Sequence, residues 1–194
     1  MTGEQHKFRV SPSGRQFIKK WEGLRLRPYV CAGGWLTVGY GHAISPASKQ
    51  MIARAKISGI TMSEAQNYFE ADIRSVESAI SRLISRPLTQ SQVDALASFT
   101  FNLGAGALQR STLRMRINRG EAHSRCASEF PKWVMAGGRR VRGLVLRRRA
   151  ERAVYLSPSS LVQTDESRDA DVETTARVGP WWRRALDYII GGVA

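Results

Sequence analysis

The sequence predicts a mainly helical fold that carries one small antiparallel sheet near its N-terminus. Two textures predict it. From Leu26 to His42, β-branched and aromatic residues are broken by Gly33-Gly34, Gly39 and Gly41, as in short strands joined by tight turns. Beyond Ser45-Pro46, apolar residues recur every three or four positions behind capping residues, as in helices. The chain has 194 residues, 42% of them hydrophobic and 24% charged, which suits one ordinary domain with a real core and excludes disorder throughout. No segment recurs at a fixed period, and no window approaches about 18 uninterrupted apolar residues, so solenoids and ordinary membrane spans are excluded.

The elements follow in order. Ser11-Pro12-Ser13 starts a first helix: a serine cap, then proline at the first helical position. Phe17, Ile18 and Trp21 give it an apolar stripe, and Gly23 ends it after Glu22. The hairpin or three-stranded sheet comes next. Thr61 and Glu64 form a capping-box pattern ahead of Ala65, Tyr68, Phe69, Ile73, Val76, Ile80, Leu83 and Ile84, one long helix running toward Arg86-Pro87. Thr89 caps a helix that leads to Asn102-Leu103-Gly104. Further helices are predicted around 106–119, 121–135 and 144–155, with Gly137-Gly138 as a break between the last two.

Ser157-Pro158 closes the compact part. Residues 161–176 then carry five acids and one base and few large apolar groups, which predicts an acidic linker over 159–176. In 177–194 apolar character returns. Trp181, Trp182, Leu186, Ile189 and Ile190 make a helical stripe opposite Arg183 and Arg184. That amphipathic tail has two readings: docking on the main domain, or contact with an anionic membrane surface.

The formal charge of +14 is concentrated between Arg110 and Arg152, where 13 basic and 3 acidic side chains leave a net +10. Such a field favours polyanions: nucleic acid, anionic lipid, or an anionic cell-wall polymer. The N-terminus has no apolar h-region and no small-residue cleavage site, which predicts neither a cleavable signal peptide nor a signal anchor. Two cysteines, Cys31 and Cys126, are too few for a disulfide scaffold, and Cys126 reads as buried and reduced. No His/Cys/Asp/Glu cluster has metal-ligand spacing and no phosphate loop occurs, so neither a metal nor another cofactor is expected.

The chemistry-bearing stretch runs from Trp21 to His42. Glu22 ends an apolar helix beside Trp21, where partial desolvation favours the proton-bearing form, as a general acid requires. A helix end that faces a small sheet makes a cleft, with the acid on one wall and Cys31 and Thr37 on the other. The spacing Glu22-x8-Cys31-x5-Thr37, followed by Gly39-Tyr40-Gly41-His42, resembles the catalytic stretch of phage-type lysozymes, the endolysins of glycoside hydrolase family 24. The resemblance continues in 97–120 and 130–156 and covers roughly residues 10–157.

The resemblance implies an α+β, lysozyme-like catalytic domain over 1–158. A small sheet lobe and a larger helical lobe would be joined by a long helix, with a glycan cleft between them. It implies a glycosidase that hydrolyses the β-1,4 bond between N-acetylmuramic acid and N-acetylglucosamine in peptidoglycan and so lyses the host cell. Glu22 would protonate the leaving oxygen, and Cys31 and Thr37 would handle the attacking water. Where relatives carry Asp, this chain has Cys31, so base assistance by a thiolate and direct attack on the sugar both stay open, and with them inversion or retention. Arg149, with Arg148 next, is the best match to an arginine near the catalytic glutamate. Asn102 matches a cleft-side position suited to a glycan hydrogen bond, beside the alternative of a helix cap. His42 pairs with Asp72 structurally in this reading and is not catalytic. The implied setting is a monomer made in the host cytoplasm, released through a holin-like pore and acting on the periplasmic wall, with no specific nucleic-acid partner. Two competing readings are a lytic transglycosylase, against which Thr37 speaks, and a non-catalytic basic nucleic-acid-binding protein, which the charge alone supports.

Overall fold

The computed structural model describes residues 7–30, 36–44 and 58–158. Cys31, the Gly33-Gly34 turn, the 159–176 linker and the 177–194 tail lie outside the described residues.

The first helix, α1, spans Pro12–Glu22 with Pro12 in its first turn. The Ser11 hydroxyl accepts from the Gly14 amide, and Gly23, at φ +66°, takes the chain out of the helix. The sheet follows at once: β1 (Arg25–Val30), β2 (Leu36–Gly39) and β3 (His42–Ala43), antiparallel in that order. Thr37 on the central strand faces Tyr29 on one side and Ala43 on the other. The β1–β2 register shifts between Arg25 and Tyr29.

The long helix α2 (Met62–Leu83) opens with the capping box read from the sequence: Thr61 Oγ1 accepts from the Glu64 amide, and Glu64 accepts from the Thr61 amide. This helix serves two cores. Near its start Tyr68 packs on the small sheet cluster of Val38, Ile44, Leu36 and Ile60. Farther on, Phe69, Ile73, Ile80 and Leu83 enter the main helical core. One helix shared by a sheet cluster and a helical core is the α+β division that the sequence predicted.

Helix α3 (Gln90–Leu103) runs through the centre of the molecule, buried from Ser91 to Leu103. Its N-cap is again a capping box, Thr89 with Gln92. A helix buried on all sides must satisfy its polar side chains internally. Asp94 accepts from the Ser11 amide at 2.9 Å and the Ser11 hydroxyl at 2.5 Å, which ties α3 to the start of α1. Glu77 of α2 accepts from the Val10 amide and from Arg9 and Arg15, which ties the residues before α1 to the long helix.

The rest differs from the expected pair of helices over 106–135. The first is two helices, α4 (Ala105–Arg110) and α5 (Thr112–Asn118), because Ser111 accepts from the Arg114 amide and starts a new cap. The second is only α6 (His123–Ala127), followed by a 3-10 turn at Phe130–Lys132. Next comes a tiny hairpin, β4 (Met135–Ala136) and β5 (Arg139–Arg140), turned by Gly137-Gly138 at φ +54° and +73°. Two successive positive φ angles are what a tight hairpin turn needs. The last helix, α7 (Arg142–Leu156), packs broadly on α3 and ends at Ser157, whose carbonyl accepts from Ser91.

Gly14 shows how tightly α1 is seated. In an open helix, alanine in place of glycine gains about 1 kcal/mol. Here a Cβ would fall 2.5 Å from the carboxylate of Asp94 and 2.9 Å from Val10. Ser11 and Gln90 hold that carboxylate in place. Gly14→Ala should therefore destabilise by about 1–3 kcal/mol, and Tm should fall by about 2–4 °C per kcal/mol. An unchanged or higher Tm in thermal unfolding would contradict this seating.

Candidate active site

Glu22 is the last residue of α1, and its side chain is completely buried. Nη1 of Arg147 donates to Oε1 at 2.9 Å. Oε2 has no hydrogen-bond partner among the described residues. Arg147 also donates through Nε to Glu151 at 3.1 Å and through Nη2 to the carbonyl and hydroxyl of Ser98 at 3.1 and 3.3 Å. The Ser98 hydroxyl donates to the same Glu151 oxygen at 2.7 Å.

Arg148 extends the network. Its Nη2 donates to Glu151 at 2.9 Å and to Oδ1 of Asn102 at 2.6 Å. Its guanidinium carbon lies 5.1 Å from the centre of the Phe99 ring, in cation–π range. Burial above all brings the Arg148 pKa down to about 10, with Glu151 opposing the fall and Arg147 adding to it. Arg148 thus stays cationic near neutrality. Two arginines and two glutamates make a hydrogen-bonded quartet out of water, carried by α1 and α7 and braced by Ser98 and Asn102 of α3.

The sequence pointed to Arg149, with Arg148 next, as the arginine beside Glu22; the structure corrects this to Arg147. Arg149 is exposed on the outer face of α7, whereas Arg147 and Arg148 are buried. At about 100° per residue, the buried positions Leu144, Arg148, Glu151 and Tyr155 define one face of the helix and turn Arg149 away from it. That register was the signal available in the sequence. Ser98 and Glu151 are the network members that sequence reasoning missed.

Asn102 lies inside α3 and does not cap it; the cap is Gly104 at φ +83°. With Oδ1 taken by Arg148, its Nδ2 is buried and has no partner among the described residues. Thr37 is fully buried in the central strand. His42 and Asp72 form the expected pair: Nδ1 lies 3.1 Å from both carboxylate oxygens, and the imidazole stacks on Tyr68 at 4.7 Å. Cys126 is a free, buried thiol whose pKa burial pushes up, so it stays protonated and unreactive.

A groove of about 280 Å³ opens between β3, α2 and the end of α3, lined by His42, Ala43, Asp72, Ser75, Val76, Thr100, Phe101, Gly104 and Ala105. Helix α3 joins the groove to the charge network. Thr100, Phe101 and Gly104 face the groove, while Ser98 and Asn102, one turn apart, hold the arginines.

The two adjacent arginines make opposite predictions. Arg147→Ala leaves Glu22 and Glu151 short of a buried cation and should cost about 3–5 kcal/mol. Arg149→Ala should stay within about 0.5 kcal/mol. Denaturant unfolding of the two variants checks this; equal costs would contradict the assignment of Arg147 as the buried partner.

Comparison with known proteins agrees with this geometry. The family model described as phage lysozyme matches residues 19–151. The endolysin of Acyrthosiphon pisum secondary endosymbiont phage 1 is 38% identical over 152 residues, covering 76% of this chain and 98% of that one. The endolysin of Bacillus phage B103 is 35% identical over 168 residues, covering 86% of this chain; the chain spans only 58% of that longer protein. Among solved structures, the endolysin from Escherichia coli O157:H7 phage FAHEc1 matches with a TM-score of 0.66 at 34% identity, covering 79% of this chain and 97% of that one. With the motif stretch, the two-core α+β fold and the sequence match over most of the chain in agreement, the chain belongs to the phage lysozyme family.

Proposed function

We propose that this chain is an endolysin: a muramidase that hydrolyses the β-1,4 bond between N-acetylmuramic acid and N-acetylglucosamine in peptidoglycan and thereby lyses a bacterial host. The observation that carries the reading is the state of Glu22. Its carboxyl is buried, one oxygen is fixed by Arg147, and the other has no hydrogen-bond partner among the described residues. An acid catalyst needs that division. Oε1 sets the orientation, and Oε2 is the atom through which a proton can be passed to a substrate oxygen.

In this reading Glu22 gives its proton to the glycosidic oxygen as the bond breaks. Thr37, on the central strand, acts with Cys31 on the attacking water. Proton donation at the leaving oxygen is needed in any case, whichever group attacks the anomeric carbon. The groove beside Phe101 and His42 receives the sugars, and the quartet behind Glu22 keeps the acid in place through the cycle. The domain over 1–158 carries the catalysis, and the 159–176 linker and 177–194 tail are additions to it. The enzyme is made inside the host and reaches the wall through a pore that another protein opens.

Glu22→Gln keeps the shape and removes the proton. It should lower turnover by about 10²–10⁴-fold while Tm stays within a few degrees. The measurement is clearing of outer-membrane-permeabilised Gram-negative cells. Mass spectrometry of the released muropeptides separates hydrolysis from transglycosylation, because an anhydro product is lighter by one water. A folded Glu22→Gln variant with near-normal turnover would sink the assignment.

Cys31 is tested by a pair of substitutions. A serine hydroxyl is a poor base near neutrality, whereas a carboxylate is a competent one. Cys31→Ser should lose most activity and Cys31→Asp should keep a substantial part of it. Full activity in Cys31→Ser would reduce Cys31 to a packing residue.

A further inference from the structure

Helix α7 has two faces of different character. Leu144, Arg147, Arg148, Glu151 and Tyr155 turn inward. On the opposite side Arg142, Leu146, Arg149, Ala153 and Leu156 recur every three or four residues and are all exposed, with Arg152 on the flank. Leu146 and Leu156 keep 46% and 41% of their surface in solvent. Just before the helix, Arg139 and Arg140 of β5 are exposed as well. None of these five arginines has an acidic partner among the described residues. Nor do the described residues hold a spare acid for them. Glu121 and Glu129 are taken by Arg116, and Glu151 by the buried arginines. Every other acid there has a hydrogen-bonded or ion-paired partner of its own.

The chain does carry spare acid, and it follows this helix directly in the sequence. Asp165, Glu166, Asp169, Asp171 and Glu173 fall within nine residues, and Arg168 is the one base in 161–176. Leu161, Val162 and Val172 stand among them. The segment thus offers carboxylates and short aliphatic groups to a face made of guanidinium and leucine side chains. Its reach is ample. From Leu156 back to Arg142 is about 21 Å along the helix. The 17 residues from Ser157 to Glu173 can extend to about 55 Å. Because it is tethered, the segment meets the face at an effective concentration on the order of millimolar.

We propose that the outer face of α7, with Arg139 and Arg140 beside it, is the docking surface of the chain's own acidic segment, 161–176. The segment runs back along the helix as an internal counterion. It competes there with any anionic polymer that the exposed arginines attract, and only a more densely charged one displaces it. Surface ion pairs are individually weak and sensitive to salt, so the contact opens readily. Glu22 and the buried arginines lie on the opposite face of α7 and are untouched by it.

The experiment uses the full chain, isotope-labelled for heteronuclear NMR at low ionic strength. In one variant the five acids become amides: D165N, E166Q, D169N, D171N and E173Q. In a second, Arg142, Arg149 and Arg152 become glutamine. Neutralising the acids should shift the backbone amides of 139–156 and the Nε–H signals of Arg142, Arg149 and Arg152. Salt at about 1 M, where screening acts over about 3 Å, should move the same signals of the natural chain the same way and leave the two spectra alike. Long-chain polyphosphate, titrated at low salt, should bind the acid-neutralised variant about tenfold more tightly than the natural chain, since a tethered competitor is gone. In the arginine-neutralised background the same acid substitutions should change that affinity little.

Unmoved α7 signals on neutralising the acids would overturn the proposal. Shifts confined to other surfaces would do the same, because the segment would then lie elsewhere. Shifts that fade on dilution would place the segment on a neighbouring copy and also overturn it. An affinity gain of equal size in the arginine-neutralised background would reduce the effect to net charge. None of these measurements depends on lytic activity.

Discussion

Much of this molecule depends on one electrostatic constraint: Glu22, Arg147, Glu151 and Arg148 are all out of water at once. Taking two guanidinium and two carboxyl groups out of solvent is costly, and their mutual attraction offsets the cost only in good geometry. The hydrogen bonds that are made come from atoms of three helices. Residues 147, 148 and 151 project from successive turns of α7, Ser98 and Asn102 from successive turns of α3, and Glu22 from the last residue of α1. A shift of any one helix by a fraction of a turn would strand a buried charge. The quartet thus adds little net stability for its size, yet it makes one helix arrangement far better than its neighbours. That is the arrangement that brings Glu22 to the sheet lobe.

The same logic holds at the other end of α1. Asp94 takes the amide and hydroxyl of Ser11, and Glu77 takes the amide of Val10. The two acceptors lie on α3 and α2, so the start of α1 is pinned to both while its last residue is pinned to α7. An eleven-residue helix with both ends tied down has little freedom to slide or roll. The position of the proposed acid is therefore a property of the whole helical lobe. The lack of room for a Cβ at Gly14 is part of that property, since α1 lies directly on the carboxylate that anchors it.

What was legible in the sequence was local chemistry with a short range. Caps are made by a side chain and an amide three residues away, so Ser11, Thr61 and Thr89 announce their helices correctly. The glycine-punctuated stretch announces its sheet, and Glu22 falls at the helix end that Gly23 requires. Elements whose signal is shorter than their period were not legible. Strands of two residues at Met135–Ala136 and Arg139–Arg140 show no alternation, so the Gly137-Gly138 turn reads only as a break between helices. Ser111 divides a helix with one hydroxyl, which composition does not distinguish from a solvent-facing serine. Arg147, Arg148 and Arg149 are identical in type, and only the register fixed by Leu144 and Tyr155 tells which are inside. The orientation of the Asn102 amide was out of reach altogether, because it is set by a partner 46 positions away.

The excess charge of the second half looks different once burial is known. The net +10 between Arg110 and Arg152 treats every arginine alike. In the folded chain Arg147 and Arg148 are spent inside, matched by Glu22 and Glu151, and Arg116 is paired with Glu121 and Glu129. Arg119, Arg125, Arg139, Arg140, Arg142, Arg149 and Arg152 are among those left on the surface. Only this exposed set projects a field into solvent, and salt screens it over about 8 Å at physiological strength. Composition therefore mixed two separate devices. The buried arginines act over bond lengths and fix two side chains of the proposed catalytic machinery. The exposed ones act over roughly a Debye length, about 8 Å, and favour approach to an anionic surface. A bacterial wall presents such a surface around the glycan, so the field that suggested a polyanion also suits a muramidase approaching its substrate.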